Sequence, residues 1–291
     1  MIKSMTGYGL AANDFAKAKY TVEIKSLNSK FLELSLKVPK AFSDKEFILR
    51  NDCSKQIERG KVNISINVEY AETTIRTSTI NQALLKHYYE QLKSSASELG
   101  DNGSNLLQMA LNFPEVVQYS SDEATDDEWK TVYKTFEDAL ANFQEFRQDE
   151  GNVLKQDLVL RINNITEGMR LVSEQEPHRI PAIRERLNHF LLEAVGRENV
   201  DKNRFEQELI YYIDKLDITE EKIRLKSHLD YFLEALKDKD ANGKKLGFIS
   251  QEIGREINTM GSKANDAKMQ QIVVGMKEEL EKVKEQLLNV L

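Results

Sequence analysis

Two segments in the first seventy residues alternate apolar and polar side chains with a period of two, and that period commits them to strands. In KFLELSLKV, Leu32, Leu34, Leu36 and Val38 point one way while Glu33, Ser35 and Lys37 point the other; KVNISINVEY repeats the pattern with Val62, Ile64, Ile66 and Val68. Both read as half-buried strands. TVEIKSL, ahead of Asn28-Ser29, is predicted as the hairpin partner of residues 30–38, and SMTGYGLA adds a further strand. SDKEFILRNDCSKQIERG opens on a Ser-x-x-Glu capping box, Ser43 to Glu46, and closes at Gly60, which predicts a helix lying on the sheet.

From about residue 80 the period changes to that of a helix. Leu154, Leu158, Ile162, Ile165, Met169 and Val172 share one helical face until Pro177 and Pro181, where an interruption is expected. A second helix is predicted from about 182 to 196 and a third from about 203 to 237. The last helix places Met269, Val273, Met276, Leu280, Val283, Leu287 and Val290 in four-three spacing, a heptad seam that suits a bundle within the chain as well as a coiled coil between subunits. The expected fold class is α+β: a small N-terminal antiparallel sheet with a packed helix, then a long, predominantly helical region. Three parts are delimited: a β-rich domain over 1–75, a helical middle over 76–200 with an acidic solvated loop near 121–128, and a C-terminal helical domain over 201–291.

Composition narrows the function classes. With 291 residues and 40% apolar content the chain can bury a substantial core. MIKSMTGYGL lacks the apolar run of a signal peptide, and no segment approaches a membrane span, so no membrane partner is expected. The single Cys53 excludes an intramolecular disulfide and a cysteine-cluster metal site; it fits a reducing cytoplasm and leaves oxygen and imidazole as metal ligands. The net charge of -7 gives no global attraction for nucleic acid, yet residues 1–70 hold 12 Lys+Arg against 8 Asp+Glu, and a local basic stripe suffices to bind phosphates.

Two carboxylate patterns carry the candidate chemistry. QEIGREINTMGSKAND, residues 251–266, sets Glu252 and Glu256 one turn apart with Arg255 beside them, a like-charge pairing that stabilises nothing on an ordinary surface helix. Asp217, Glu221, Arg224 and His228 fall at i, i+4, i+7 and i+11, with Glu206 on the same face of the predicted helix. A solvated face with routine ion pairs explains either stripe alone. Facing each other, they converge carboxylates and one imidazole as helical-bundle metal sites do, and that donor set suits Mg²⁺ or Mn²⁺. His87, His178 and His189 have no partner at ligand spacing, Gly7 and Gly9 open no phosphate fingerprint, and there is no Gly-x-Ser-x-Gly elbow.

Several ordered motifs carry a resemblance: MIKSMTGYG, KSLNSKFLE, RGKV, RQDEGNVLKQDL, NRFEQEL, DITEEKIRLKSHL and GKKLGFISQEIGREINTMGSKAND. Together they resemble the YicC/YloC family of bacterial endoribonucleases over nearly the whole chain, loosely so over 71–145. Leu246-Gly247-Phe248 stands where the family has Leu-Asp-Phe, and Gly254-Arg255-Glu256 where it has Asn-Arg-Glu. The resemblance implies a metal-dependent endoribonuclease of RNA turnover, working as a ring-like homohexamer that closes around RNA by domain movement. The residues that fit this chemistry are Glu252, Glu256 and His228 as ligands with Asp217 or Glu221 near them, and Arg224, Arg255 and Lys263 on phosphate. Lys244 and Lys245 after Asn242-Gly243, and Lys25 and Lys30 flanking Asn28, are expected backbone contacts. Two other readings use the same residues: an RNA-binding adaptor without catalysis, and a structural oligomer built through the C-terminal heptads.

Overall fold

A computed structural model describes residues 2–16, 18–70, 78–100, 102–119, 124–196, 201–238 and 243–291. The alternating segments form a four-stranded sheet of β1 (Gly7–Phe15), β2 (Ala18–Leu27), β3 (Leu32–Lys37) and β4 (Gly60–Tyr70), in the order β1-β2-β4-β3. The α+β class stands, but the strand partners differ from the expected hairpin. β4 inserts between β2 and β3, pairing antiparallel with β2 (Ile24 opposite Ile64) and parallel with β3 (Leu34 opposite Val62). The sheet is therefore mixed, and Asn28-Ser29 is not a hairpin turn. α1 (Glu46–Gln56) makes the crossover from β3 to β4; it starts from a 3₁₀ turn, Lys40–Lys45, in which Ser43 Oγ donates to the Lys40 carbonyl instead of forming the capping box.

A two-stranded ribbon, β5 (Ser78–Ile80) with β6 (Val117–Tyr119), encloses α2 (Gln82–Leu99) and α3 (Leu106–Leu111). α4 then runs unbroken from Asp126 to Val195, through Pro177 and Pro181, for about 105 Å at 1.5 Å per residue. Its start is a true capping box: Glu128 N donates to Thr125 Oγ1 at 3.3 Å and Thr125 N to Glu128 Oε2 at 2.8 Å. Asp126, Asp127 and Glu128 thus form a helical first turn, where acids favour the helix dipole, and not part of a loop. Residues 121–123 of the acidic run lie outside the described residues.

α4 serves two cores. Phe136, Ala139 and Phe143 pack under the sheet with Tyr20, Val22, Ile24, Leu49, Cys53 and Ile64. Gly9 permits this approach, because a Cβ there would lie 2.2 Å from the Ala139 carbonyl oxygen. Further along, Leu158, Ile162, Ile165 and Val172 join α6 (Thr219–Ala235), α7 (Gly243–Lys263) and α8 (Ala267–Leu287) in a second core. The heptad residues Met269 to Val290 are all buried there, so the seam is spent within the chain. The predicted helix over 203–237 divides into α5 (Lys202–Leu216) and α6, with Asp217 extended between them (φ -64°, ψ 131°).

The two cores are tied at the chain ends. Ser4 and Val290 form an antiparallel bridge, Met5 N donates to the Asn289 carbonyl at 2.9 Å, and Arg59 Nη2 donates to the Val290 carbonyl at 2.7 Å. Asn28 belongs to this clasp, its Nδ2 donating to the Leu288 carbonyl at 2.7 Å.

Candidate active site

α6 and α7 pack antiparallel, because Lys263 at the end of α7 meets Asp217 and Glu221 at the start of α6. Lys263 Nζ donates to Glu221 Oε1 and to the Asp217 carbonyl, each at 2.8 Å. Seven residues back along α7 is Glu256, and seven forward along α6 is His228, so the register sets these two side chains level across the seam. The apolar residues Leu225, Leu229, Ile253, Ile257 and Met260 fill the space between the helices.

Burial separates the candidate carboxylates. Glu221 is 7% exposed and Glu256 6%, whereas carboxylates are almost never buried without partners. Glu221 Oε2 has no hydrogen-bond partner, and among the described residues none donates to the Glu256 carboxylate. Glu252 is 40% exposed at its side chain and takes Arg255 Nη1 at 2.8 Å, so the arginine expected to stay free for phosphate neutralises the outer carboxylate instead. Asp217 serves as a cap: Thr219 N at 3.0 Å and Thr219 Oγ1 at 2.7 Å donate to Oδ1, and these bonds hold its carboxyl below the usual range. Among the described residues, no three His, Cys, Asp or Glu side chains come close enough together to cage a metal ion by themselves.

The basic candidates disperse. Arg224 turns roughly 60° off the Glu221–His228 line, at 100° per residue, and pairs with Glu220 on the exposed side of α6. Lys245 Nζ sits 5.1 Å above the Tyr231 ring and 3.2 Å from Asp238 Oδ2, a hydrogen bond that raises its pKa; Lys244 lies beside it on the exposed side of α7's first turn, and Asn242 lies outside the described residues. Lys25 pairs with Glu23 at 2.8 Å, and Lys30 lies 5.5 Å over Phe31. Glu206, on α5, pairs with Arg184 of α4.

One residue that organises the site carried no sequence signal. Arg179, two residues past Pro177 and 6% exposed, donates to Asn265 Oδ1 (3.2 Å), the Leu216 carbonyl (3.3 Å) and the Lys263 carbonyl (2.6 Å). It satisfies the carbonyl ends of α5 and α7 together and anchors the backbone from which Lys263 reaches Glu221. Nothing in a helical stretch distinguishes an arginine that will be buried from one that will be solvated.

A sheet core and a helical core are strung on one helix, with buried acids on the helical seam. The family model described as endoribonuclease YicC-like, N-terminal region, matches residues 2–156, and that described as endoribonuclease YicC-like, C-terminal, matches residues 172–291. The chain belongs to this family. It is 30% identical to the probable endoribonuclease YicC of Clostridioides difficile (strain 630), over 292 aligned positions that span the whole of both chains. The protein of the same name from Haemophilus influenzae is also 30% identical over the full length of both. The residues between the two family matches, 157–171, lie inside α4.

Proposed function

We propose that the protein is a metal-dependent endoribonuclease that cleaves RNA phosphodiester bonds in bacterial RNA turnover, in the cytoplasm, as a homohexamer. The observation that carries the reading is the pair of buried carboxylates, Glu221 and Glu256: Lys263 satisfies only one oxygen of Glu221, and no described residue donates to Glu256, in a seam where an unpaired charge costs several kcal/mol, on the order of 3–5. Such residues fit Mg²⁺ or Mn²⁺, which take one or two carboxylates and fill their remaining positions with water and substrate phosphate. Glu256 and His228 would hold the ion, with Glu252 one turn along α7 and Glu221 and Asp217 toward the far end of the seam. When bound, the ion supplies charge for the phosphorane and acidifies the attacking hydroxyl.

The side chains do the rest. His228, half-buried and level with Glu256, would give its one free ring lone pair to the ion, so the proton of the attacking water or 2′-hydroxyl passes to bulk water. Arg255, whose pairing with Glu252 is exposed and weak, swings to a phosphate oxygen as RNA approaches. Lys263 keeps the seam in register through Glu221. For assembly, α5 and the distal part of α4 present Ile210 (66% exposed), Tyr211 (61%) and Phe190 (62%), an apolar surface that a neighbouring subunit would cover.

The test is cleavage of RNA by nuclease-free protein with and without Mn²⁺, alongside thermal unfolding. Mn²⁺-dependent cleavage, with a Mn²⁺-dependent rise in Tm that disappears in Glu256→Gln, supports the reading. RNA binding without cleavage would leave an adaptor.

A further inference from the structure

The exposed residues of α7 are Lys244, Phe248, Gln251, Arg255, Asn258 and Ser262, a single stripe at helical spacing. On a chain of net charge -7 this stripe holds two cations, two amides, a hydroxyl and one aromatic ring, with the half-exposed Glu252 beside it paired to Arg255. Phe248 is 70% exposed, and a Cβ on the adjacent Gly247 would meet no atom within 4 Å. The opposite face of α7 is packed: a Cβ on Gly254 would lie 3.1 Å from Leu280. Tyr231, 46% exposed, lies beneath Lys245, which is three residues before Phe248 on α7.

We propose that this stripe is the track for a single-stranded RNA segment, and that Phe248 is a positioning residue that stacks one unpaired base a single helical turn from Glu252. The inference rests on the endoribonuclease reading above. Its chemistry is that of single-strand recognition: Lys244 and Arg255 meet phosphates, the exposed ring offers its face to a base of any identity, and the Gln251 and Asn258 amides reach base edges. A protein partner would find cations and amides around one ring, with no aliphatic cluster. Stacking at Phe248 sets which phosphate lies beside Glu252 and Glu256, so it selects an unpaired nucleotide at a fixed distance from the cleaved bond.

The experiment uses the full-length protein with a short unstructured RNA that it cleaves, and the same RNA carrying an abasic site at each position in turn. Stacking contributes about 1–3 kcal/mol per base. Phe248→Leu is therefore expected to raise KM about tenfold with kcat little changed. Phe248→Trp retains the wild-type KM. One abasic position weakens the wild type by a similar factor and leaves Phe248→Leu unaffected. Wild-type KM in Phe248→Leu, or equal losses on intact and abasic RNA, overturns the proposal while leaving the endoribonuclease reading intact. A fall in particle mass by light scattering in Phe248→Leu also overturns it, because the ring then serves contact between copies. A wild type that neither binds nor cleaves any RNA sinks both readings.

Discussion

Lys263 and Glu221, 42 residues apart in sequence, meet at 2.8 Å between Nζ and Oε1 and set the register of α6 against α7. The glutamate side chain is 9% exposed and the lysine side chain 30%, so the pair is largely withdrawn from solvent.

Removing one partner of such a pair strands the other. Lys263→Met is expected to lower stability by about 2–3 kcal/mol, because Glu221 then has a donor on neither oxygen. Adding Glu221→Gln should recover most of the loss. Urea denaturation of both single variants and the double variant measures the coupling; additive effects would show that the contact does not hold the seam.

Glu256→Gln removes a buried charge to which no described residue donates, so stability without metal should hold or rise. Metal-dependent cleavage should fall by roughly 100-fold or more. RNA affinity in a filter-binding assay, resting on Lys and Arg, should change little and should decline with salt in wild type and variant alike. Full activity in this variant would return Glu256 to a structural role.

Gly9→Ala should destabilise by about 3 kcal/mol or more, because its methyl would overlap the Ala139 carbonyl and the Phe143 backbone nitrogen, at 2.2 and 2.7 Å. Gly247→Ala, with open space around it, should be neutral or slightly stabilising through helix propensity. Chemical denaturation midpoints of the two variants test the close packing of β1 on α4.

Acid sensitivity should concentrate at Glu279. On α8 it accepts from Lys282 Nζ (2.5 Å) and, across to α4, from Asn164 Nδ2 (2.9 Å) and Arg161 Nη1 (3.3 Å). The Lys282 ammonium, then Asn164 and Arg161, hold its carboxyl at about 2. The folded value lies below the unfolded one of about 4.3, so the stabilisation is present above pH ~4.3 and is lost as pH falls toward ~2. Glu279→Gln should cost about 1–2 kcal/mol at neutral pH and flatten the stability profile over that window. A profile unchanged by the substitution would show that the network is solvated.

Much of the candidate site was legible in order but not in environment. Glu221, His228 and Glu256 stand out by spacing, yet spacing cannot tell that Glu252 would be capped by Arg255 while Glu256 is buried, since both lie on one helix and differ only in what packs against it. The break at Asp217 did carry a local signal, an Asp two residues before Thr219 with Glu220 and Glu221 following. That signal was outweighed by the continuous polar stripe.

What the sequence by itself determined is local: which segments are strands, which are helices, and which face of each is apolar. Side-chain period follows directly from backbone dihedrals, so Leu32 to Val38 and Met269 to Val290 declare their geometry wherever they end up. Tertiary structure alone decided the partners. β4 displaced β3 from β2 because a strand's alternation specifies a buried face and not a neighbour. α4 continued through Pro177 and Pro181 because Val172 and Ile183 are buried on either side and Arg179 is tied to α5, α7 and Asn265; these contacts outweigh the backbone bonds that proline forfeits. The heptads turned inward for the same reason. Once α4, α6 and α7 lay beside α8, its apolar stripe was already buried within its own chain.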